Sequence, residues 1–347
     1  MAAPPLVSVI MPVRNEAAYI LRNLEALLEQ DYPLDRVEVL VADGMSDDGT
    51  REIVQRFMER GAAGSDAAAR PGFELQLIDN PGRIMPAGAN AALRRARGEV
   101  CMLLGGHAAF PPDYIRRCVE TLQRSEADCV GGAVDSAGNG YVGRAIAAAM
   151  SSPFGIGGSG FRTASPDGAP VVADTVPFGA YRRSVFERVG LFNEAMVRHQ
   201  DYEFNYRVRR SGGRILLLPT ERVVYWVRPT LGRLWRQYWQ YGVWKGRFLR
   251  THPDSLRPRH LIPSLMVVAL LAGVVAALAA PSGAAALALV ASAYLAFVLV
   301  ALLTFAARGQ AALVPVLPAV LACLHFSYGL GVLAGLAHPP IPPAPRL

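Results

Sequence analysis

The chain has 347 residues, enough for about two domains of ordinary size. Hydrophobic residues make up 52% of it and charged residues only 18%, which is too apolar for an ordinary soluble enzyme. The formal net charge of +7 is uneven, because residues 207–259 hold 13 Lys/Arg against 2 Asp/Glu. A basic block followed by an apolar tail is typical of the cytoplasmic flank of a membrane segment, and we expect no nucleic-acid partner.

The first half of the chain alternates between two periodicities. Apolar runs predict strands at 6–11, 37–42, 75–78, 100–104 and 129–130, and helical spacing of apolar residues predicts helices at 17–30, 51–60, 86–97 and 112–125. This alternation predicts an α/β fold with right-handed crossovers and a mostly parallel sheet flanked by helices. Residues 61–72 and 151–180 are rich in small and polar side chains and are expected to be loops, the second long enough to carry function.

Polar residues stand where three of these strands end. Asp43 closes the second strand, residues 12–16 follow the first, and residues 105–107 follow the fourth. Ligands of open parallel sheets bind beyond the carboxyl ends of the strands. Gly44 and Ser46 then turn the chain, and residues 47–50 open a helix, whose free N–H groups favour an anion. The pattern predicts a nucleotide site; the alternative is that these residues only cap turns and a helix start.

Five strings in this order carry a resemblance to a known family: VSVIMPVRNE, VADGMSDDGT, ARGEV, GLFNEAM and HQDYEFNYRVRR. Together they resemble family 2 glycosyltransferases, and more narrowly the membrane-anchored glucosyltransferases that extend succinoglycan-type exopolysaccharides. The resemblance covers residues 5–250. It implies the GT-A fold, a nucleotide-diphosphate sugar donor (a UDP-sugar is expected), a divalent metal, and inversion at the anomeric carbon.

The resemblance also implies roles for individual donor-side residues. Pro12, Arg14 and Glu16 would line the nucleotide pocket. Asp43 would hold the uracil or the ribose, and Arg83 would approach the diphosphate.

The metal position departs from the family. The family usually places Asp-x-Asp or Asp-x-His after the fourth strand, but here Gly105 replaces the first carboxylate and is expected only as a donor-binding position. His107 is the candidate ligand for Mn²⁺, whereas Mg²⁺ prefers oxygen ligands; the alternative is a histidine hydrogen-bonded at a turn. With one side chain in place of two, metal affinity is expected to be weaker unless the diphosphate supplies most of the coordination.

The missing carboxylate leaves a second function open. The chain would then be a catalytically weak or silent sugar-nucleotide-binding scaffold of a polysaccharide assembly complex. Partners in such a complex are an expectation of both interpretations.

Inverting transfer needs a carboxylate that takes the proton of the acceptor hydroxyl. The family has an Asp in an acidic motif after the long loop, and the resemblance gives this role of catalytic base to Asp201. The alternative is that Asp201 and Glu203 are first-turn acids that complement a helix dipole. The resemblance places Asp174 on the acceptor side.

Residues 230–260 combine Trp, Tyr and Arg at a density that predicts an interfacial helix on an anionic leaflet. Gln240 to Trp244 also resembles the Gln-x-x-Arg-Trp motif of processive members, which implies acceptor-side roles for Gln240 and Trp244. Val243 replaces the arginine of that motif. A plain membrane-contact helix is therefore the alternative.

The apolar tail predicts three transmembrane helices, at 261–280, 284–307 and 311–337, each at or above the ~20 residues that cross a bilayer. Prolines near the start of the third make a re-entrant segment the alternative there. The predicted division is a catalytic domain (1–229), an interfacial region (230–260) and a membrane domain (261–347). Basic flanks predict a multi-pass protein of the cytoplasmic (inner) membrane, with its catalytic domain in the cytoplasm and its C-terminus outside.

Overall fold

The computed structural model describes residues 3–63, 73–106 and 108–344. The chain forms two compact units. Unit 1 holds residues up to 135, residues 164–225 and residues from 342 onwards, and unit 2 holds residues 136–163 and 226–341. Residues 136–163, which lie inside the expected catalytic domain, group with unit 2 by their contacts.

The elements alternate in the first half of the chain and become mainly helical in the second. The strands are β1 (Val7–Val13), β2 (Val37–Asp43), β3 (Glu74–Asp79), β4 (Val100–Leu103), β5 (Ala108–Ala109), β6 (Cys129–Ala137), β7 (Val171–Val172), β8 (Ala180–Arg182) and β9 (Ile215–Trp226). The helices are α1 (Ile20–Leu28), α2 (Thr50–Ala63), α3 (Met85–Leu93), α4 (Tyr114–Arg124), α5 (Gly140–Met150), α6 (Pro153–Ile156), α7 (Gly160–Thr163), α8 (Arg183–Val189), α9 (Gln200–Arg210), α10 (Leu231–Thr251), α11 (Pro258–Ala279), α12 (Pro281–Phe305) and α13 (Leu317–Ala337).

Within the described residues, unit 1 is organised on one mixed sheet with the strand order β3-β2-β1-β4-β8-β6-β9-β5, and β7 pairs with β9. The first four strands are parallel, as predicted. The expectation of a mostly parallel sheet is wrong beyond β4, because β8 pairs antiparallel with both β4 and β6. The result is a GT-A-like α/β fold with a mixed sheet, parallel from β1 to β4 and antiparallel in the other strand pairs described.

The core of unit 1 lies around β1 and β2. All seven residues of β2 are buried, which explains its nearly continuous apolar sequence. Helix α1 covers one face of the sheet with Ile20, Leu24 and Leu27, whose spacing places them on one side of the helix. The strands and helices predicted in residues 6–125 are confirmed, with ends that shift by a few residues.

The long-loop prediction for 151–180 is only partly right. This stretch contains the short helices α6 and α7 and the strand β7, and it follows α5, which the periodicity did not indicate. Of the other predicted loop, 61–72, the first three residues complete α2, and residues 64–72 lie outside the described part of the chain.

Unit 2 contains three stretches long and apolar enough to cross a bilayer: Pro258–Ala279, Pro281–Leu313 and Leu317–Ala337. Helices α11 and α12 form a hairpin in which a Cβ on Gly283 would stand 2.1 Å from the Ala276 carbonyl oxygen. Helices α10 and α13 approach each other as closely as α11 and α12 do, because each carries two glycines four residues apart. A Cβ on Gly335 would stand 2.1 Å from the Val243 oxygen, and one on Gly242 2.3 Å from the Tyr328 oxygen.

Candidate active site

The ends of the parallel strands form one polar edge. Val13, Asp43 and Asp79 are direct register partners at the last positions of β1, β2 and β3. On the other side of β1, the Leu104 N–H donates to the Ile10 oxygen, which brings the chain after β4 to the same edge. Since neighbouring strands lie about 4.8 Å apart, β2 and β4 are separated by about 10 Å. The convergence predicted for the strand ends is confirmed.

The Asp43 carboxylate is fully buried at this edge. It accepts hydrogen bonds from the Ser46 hydroxyl (2.5 Å) and the Ser46 N–H (3.2 Å). Arg51 Nη1 lies 2.6 Å from Asp79 and 3.6 Å from Asp43, and the pairing, above all with Asp79, raises the pKa of the guanidinium. Asp43 therefore shapes the turn after β2, and Arg51, which no sequence pattern indicated, joins the ends of β2 and β3.

The loop after β1 is held against that turn. Asn15 has a left-handed backbone (φ 56°), and its N–H donates to the Ser46 hydroxyl. The Glu16 N–H donates to the Thr50 hydroxyl at 2.8 Å. Arg14 is exposed beside it, and Pro12 lies in β1 at the same edge. The three residues predicted to line the nucleotide pocket thus lie at the end of β1 and in the ordered loop that follows it.

Arg83 reaches the same edge from the turn after β3. The Asn80 N–H donates to the Asp43 carbonyl oxygen at 2.9 Å, and the Arg83 N–H donates to the Asn80 oxygen. Arg83 is exposed and has φ 58°, a conformation that few non-glycine residues adopt. Arg83 therefore lies in a tight turn directly after the end of β3.

The segment after β4 is the predicted metal position. Gly106 packs against Glu16, and its carbonyl oxygen accepts a hydrogen bond from Asn23. His107 lies outside the described residues. Among the residues that are described, no group of three or more His, Cys, Asp or Glu is placed to hold a metal. These residues do not fit a side-chain cage for a cation, so a metal here would depend on His107 and on the ligand's own oxygens.

Phe178 occupies the space beside Gly105. A Cβ on Gly105 would stand 3.0 Å from Phe178 Cε1, so the ring covers the place where the family's carboxylate would begin. Phe178 has φ 51°, which is strained for an aromatic residue. The Tyr114 hydroxyl holds it by donating to the Phe178 carbonyl oxygen at 3.0 Å. No sequence signal indicates a left-handed Phe, so this residue was missed.

Helix α9 carries the predicted base in its first turn. Asp201 is half-buried, and burial raises the pKa of its carboxyl above the usual value, although the Tyr202 N–H donates to it at 2.8 Å. Asn205, one turn further, accepts from the Tyr181 hydroxyl and donates to Thr175. The Leu103 N–H donates to the Gly179 oxygen. These contacts tie α9 to the segment before β8, and that segment to the end of β4.

Two other acids near α9 are paired with arginines. Glu203 is buried and receives two hydrogen bonds from Arg207, at 2.7 and 3.0 Å. Arg207 also binds the backbone of the α8–α9 connection, so Glu203 has a structural role. The Asp174 carboxylate lies 3.6 Å from Arg209, which also donates to the Asp174 carbonyl oxygen.

The remaining predicted site residues, Gln240 and Trp244, lie on α10 in unit 2. The Trp244 ring packs against the Arg247 guanidinium, 4.4 Å from the ring centre. Their acceptor-side roles stay predictions.

Comparisons with known proteins agree with this fold and edge. Residues 8–190 match glycosyl transferase family 2. The succinoglycan biosynthesis protein ExoA of Rhizobium meliloti (strain 1021) is 31% identical over 260 residues, which are 74% of this chain and 73% of ExoA. A dolichyl N-acetyl-α-D-glucosaminyl phosphate 3-β-D-2,3-diacetamido-2,3-dideoxy-β-D-glucuronosyltransferase of Methanococcus voltae is 27% identical over 251 residues, 70% of this chain and 74% of the relative.

Among solved structures, the mannosyltransferase PcManGT from Pyrobaculum calidifontis, in complex with GDP-Man and Mn²⁺, covers 96% of this chain and 87% of its own. Its TM-score is 0.56 at 23% identity, which shows a shared fold. The family match spans the edge formed by β1 to β4, and ExoA extends the similarity over three quarters of the chain. The chain belongs to glycosyl transferase family 2 and is a glycosyltransferase.

Proposed function

We propose that the protein moves a hexose from a nucleotide-diphosphate sugar to a lipid-linked or growing polysaccharide acceptor, with inversion, in cell-surface polysaccharide synthesis. The names of two relatives support this substrate class: one concerns succinoglycan biosynthesis, and the other transfer to a dolichyl-phosphate-linked sugar. The observation that carries the proposal is the half-buried, raised-pKa carboxylate of Asp201 on a helix tied to the polar sheet edge.

The donor would lie along the edge of β1, β2 and β3. Arg83 and Arg14 are exposed there and supply positive charge for a diphosphate. Pro12 at the end of β1 and Glu16 in the loop after it would form one wall. Asp43 would contact the uracil or ribose after its Ser46 turn opens, or would act through that turn.

Asp201 would act as the base. Its carboxylate takes the proton of the acceptor hydroxyl while the hydroxyl oxygen forms a bond to C1 of the donor sugar. The C1–oxygen bond to the diphosphate breaks on the opposite face, which inverts the anomeric carbon. A raised pKa suits this task, because proton transfer is most efficient when the pKa of the base lies near the working pH.

A divalent metal, when bound, would neutralise charge on the leaving diphosphate. His107 is the proposed ligand. Gly105 offers no side chain, and Phe178 fills the adjoining space. We assign Asp174, Gln240 and Trp244 to the acceptor side.

The proposed location is the cytoplasmic membrane. The three apolar helices and the basic block before them support a protein of the cytoplasmic membrane, whose unit 1 faces the cytoplasm where sugar nucleotides are available. A lipid-linked acceptor would then share the plane of the bilayer with the enzyme.

Donor binding tests the edge. In membranes or detergent, UDP should raise the unfolding temperature of the wild type, and Asp43→Asn should remove that increase. Asp79→Asn is the matched control, because Asp79 also pairs with Arg51 but is exposed at the strand end. Equal stabilisation of both variants by UDP would remove Asp43 from the donor site. Donor binding without turnover against any acceptor would favour the silent-scaffold alternative.

A further inference from the structure

We propose that only α11 and α12 cross the bilayer, as a hairpin, and that α13 stays on the side of unit 1, so that the C-terminus lies on the same side as the catalytic unit. This inference concerns the topology of the chain and does not depend on the proposed reaction. It replaces the three crossings predicted from apolarity and the external C-terminus predicted from those crossings and the basic flanks.

The first observation concerns the residues that follow α13. Pro342 belongs to unit 1, and its carbonyl oxygen accepts a hydrogen bond of 2.7 Å from the buried Asn193 side chain. Helix α13 ends at Ala337, five residues earlier. Five residues reach at most about 18 Å, less than the ~30 Å of a hydrocarbon core. The end of α13 and unit 1 are therefore on one side of the membrane.

The chain leaves unit 1 after Tyr225 and returns at Pro342, so it must cross the bilayer an even number of times between them. Three stretches have the length and apolarity of a span, which is an odd number. Either one of them does not cross, or α10 crosses as a fourth.

Helix α10 does not cross. It is about 31 Å long, by 1.5 Å per residue. It starts six residues after Tyr225, and its last residue, Thr251, accepts a hydrogen bond from the Ile341 N–H, one residue before the chain re-enters unit 1. Both ends of α10 are thus on the side of unit 1.

From Cys323 onwards, helix α13 runs parallel to α10. Cys323 contacts the Leu231 oxygen near the start of α10. In the middle, Gly331 lies against the Trp239 oxygen. At the end, Arg250 donates to the Leu336 oxygen at 3.0 Å. A helix that accompanies α10 residue by residue stays with it on one side.

The burial of the three apolar stretches agrees with two crossings. Over half of the most apolar window of α13 is buried inside the protein, against 17% for α11 and 11% for the α12 stretch. A helix that is apolar all round can be a protein core helix as well as a span. In contrast, α11 and α12 expose large side chains such as Leu278 (85%) and Leu289 (72%), which a bilayer would cover.

The exposed face of α10 has the composition of a helix in the headgroup region. Arg233, Trp235, Arg236 and Trp239 are all exposed. Amphipathic Trp and Arg at this density suit an interfacial position. Arg259 at the start of α11 and Arg308 after α12 would flank the hairpin on one side, as the positive-inside rule requires.

The experiment is cysteine accessibility in the full chain, in intact spheroplasts and after permeabilisation, with a membrane-impermeant maleimide. The four native cysteines are buried, so the unmodified chain supplies the background. The test variants are Ser282→Cys between α11 and α12, Arg308→Cys after α12, Gln123→Cys on unit 1, and Leu347→Cys. We expect Ser282→Cys to react with maleimide on one side of the membrane. Arg308→Cys, Gln123→Cys and Leu347→Cys should react only with maleimide on the opposite side.

Reaction of Leu347→Cys on the side of Ser282→Cys would overturn the proposal, as would reaction of all four on one side. A cysteine variant could fail to fold, so a second measurement uses the chain without substitutions. A fluorescent protein or alkaline phosphatase is fused to the C-terminus of the full chain. Where Gln123→Cys shows that unit 1 is cytoplasmic, fluorescence without phosphatase activity supports the proposal, and phosphatase activity contradicts it. Neither readout depends on turnover, so failure here is distinguishable from failure of the proposed function.

Discussion

Two acids on one turn of α9, Asp201 and Glu203, have opposite surroundings. Burial raises the pKa of Asp201. The Glu203 carboxylate instead forms an ion pair with Arg207 at 2.7 Å. From the sequence both were first-turn acids, and only the resemblance separated them. The structure supplies the physical difference, because burial and ion pairing depend on residues far along the chain.

Asp201→Asn should lower turnover about 10²- to 10⁴-fold, the usual contribution of a general base. It should also raise the unfolding temperature at neutral pH. A carboxyl whose pKa is raised in the folded state binds its proton more tightly when folded, so stability falls as pH rises through the interval between the unfolded and folded pKa values. The variant lacks this loss, because an amide does not ionise. Calorimetry should therefore show the gain disappearing below about pH 4.

Glu203→Gln is the matched control for that variant. It should destabilise the protein by about 1–3 kcal/mol, because a buried hydrogen-bonded ion pair is lost. If Glu203→Gln stabilised the chain and Asp201→Asn did not, the two environments described here would be wrong.

The pH profile gives an independent check of the base. The acid limb of kcat/KM should lie above pH 4, since Asp201 must be deprotonated to act and its pKa is raised. An acid limb at or below the ordinary aspartate value of about 3.9 would contradict the role.

Gly105→Asp tests the metal position. The new side chain should strengthen Mn²⁺ binding only when Phe178→Ala removes the ring that stands 3.0 Å from the new Cβ. Alone, it should destabilise the protein by about 1–3 kcal/mol through overpacking. Metal titration by calorimetry of the single and double variants checks this; identical Mn²⁺ affinity in the double variant and the wild type would remove this position from metal binding.

At the scale of elements, buried carboxylates form hydrogen bonds near the start of strand β2 as well as at its end. Glu38 is buried there and accepts from the Ser8 hydroxyl (2.5 Å) and from Arg97 Nε (2.9 Å). Burial alone would raise the Glu38 pKa, but these hydrogen bonds outweigh it and hold the pKa below its usual value. This stabilisation is complete above the unfolded pKa and is lost as pH falls through the folded one.

Glu38→Gln should therefore cost about 2 kcal/mol of unfolding free energy at pH 7, and the difference from wild type should shrink in acid. Glu74→Gln is the control, because its pair with Arg97 is half-exposed and should contribute less than about 1 kcal/mol. Denaturant titrations at pH 7 and pH 4 measure both; equal losses would show that burial does not decide the effect.

The helix pair α10–α13 depends on its glycines. Gly335→Leu places a Cβ 2.1 Å from the Val243 oxygen and should destabilise unit 2 by about 1–3 kcal/mol. Gly232→Ala in the first turn of α10 has nothing within 4 Å and should change stability by less than about 0.5 kcal/mol, since the usual glycine penalty applies to helix interiors. Thermal unfolding in detergent separates the two; a neutral Gly335→Leu would rule out the close packing.

Element prediction worked where local pattern decides structure. The four parallel strands and their helices follow from apolar period and length. The antiparallel strands β8 and β9 pair across long stretches of chain, and their partners carry no local signature. The same limit applies to α13, because an apolar sequence does not distinguish burial in protein from burial in lipid.

At the scale of the whole molecule, ligand binding should raise the free energy of unfolding by an amount that grows with the logarithm of the ligand concentration divided by its Kd. A nucleoside diphosphate at 100 times its Kd adds about 2.7 kcal/mol to the free energy of unfolding. We expect UDP to stabilise the chain more than GDP does, as thermal shifts at equal concentrations would show. A larger shift with GDP would assign a guanosine-based donor instead.

The site was predicted only in part for a related reason. Strand ends are visible in sequence, so the edge with Asp43 was predicted from the pattern, whereas Arg83 was implied only by the resemblance. Arg51 and Phe178 were not, because their roles come from tertiary contacts and a left-handed backbone. His107 lies outside the described residues, and its role rests on the resemblance.

The most direct test is a transfer assay with labelled nucleotide sugar and a lipid-linked saccharide acceptor, comparing wild type with Asp201→Asn. We predict that the wild type transfers sugar with inversion, and that Asp201→Asn still gains thermal stability from UDP but transfers at least about 100-fold more slowly. Equal transfer rates for the two proteins would contradict the role of Asp201 as the catalytic base.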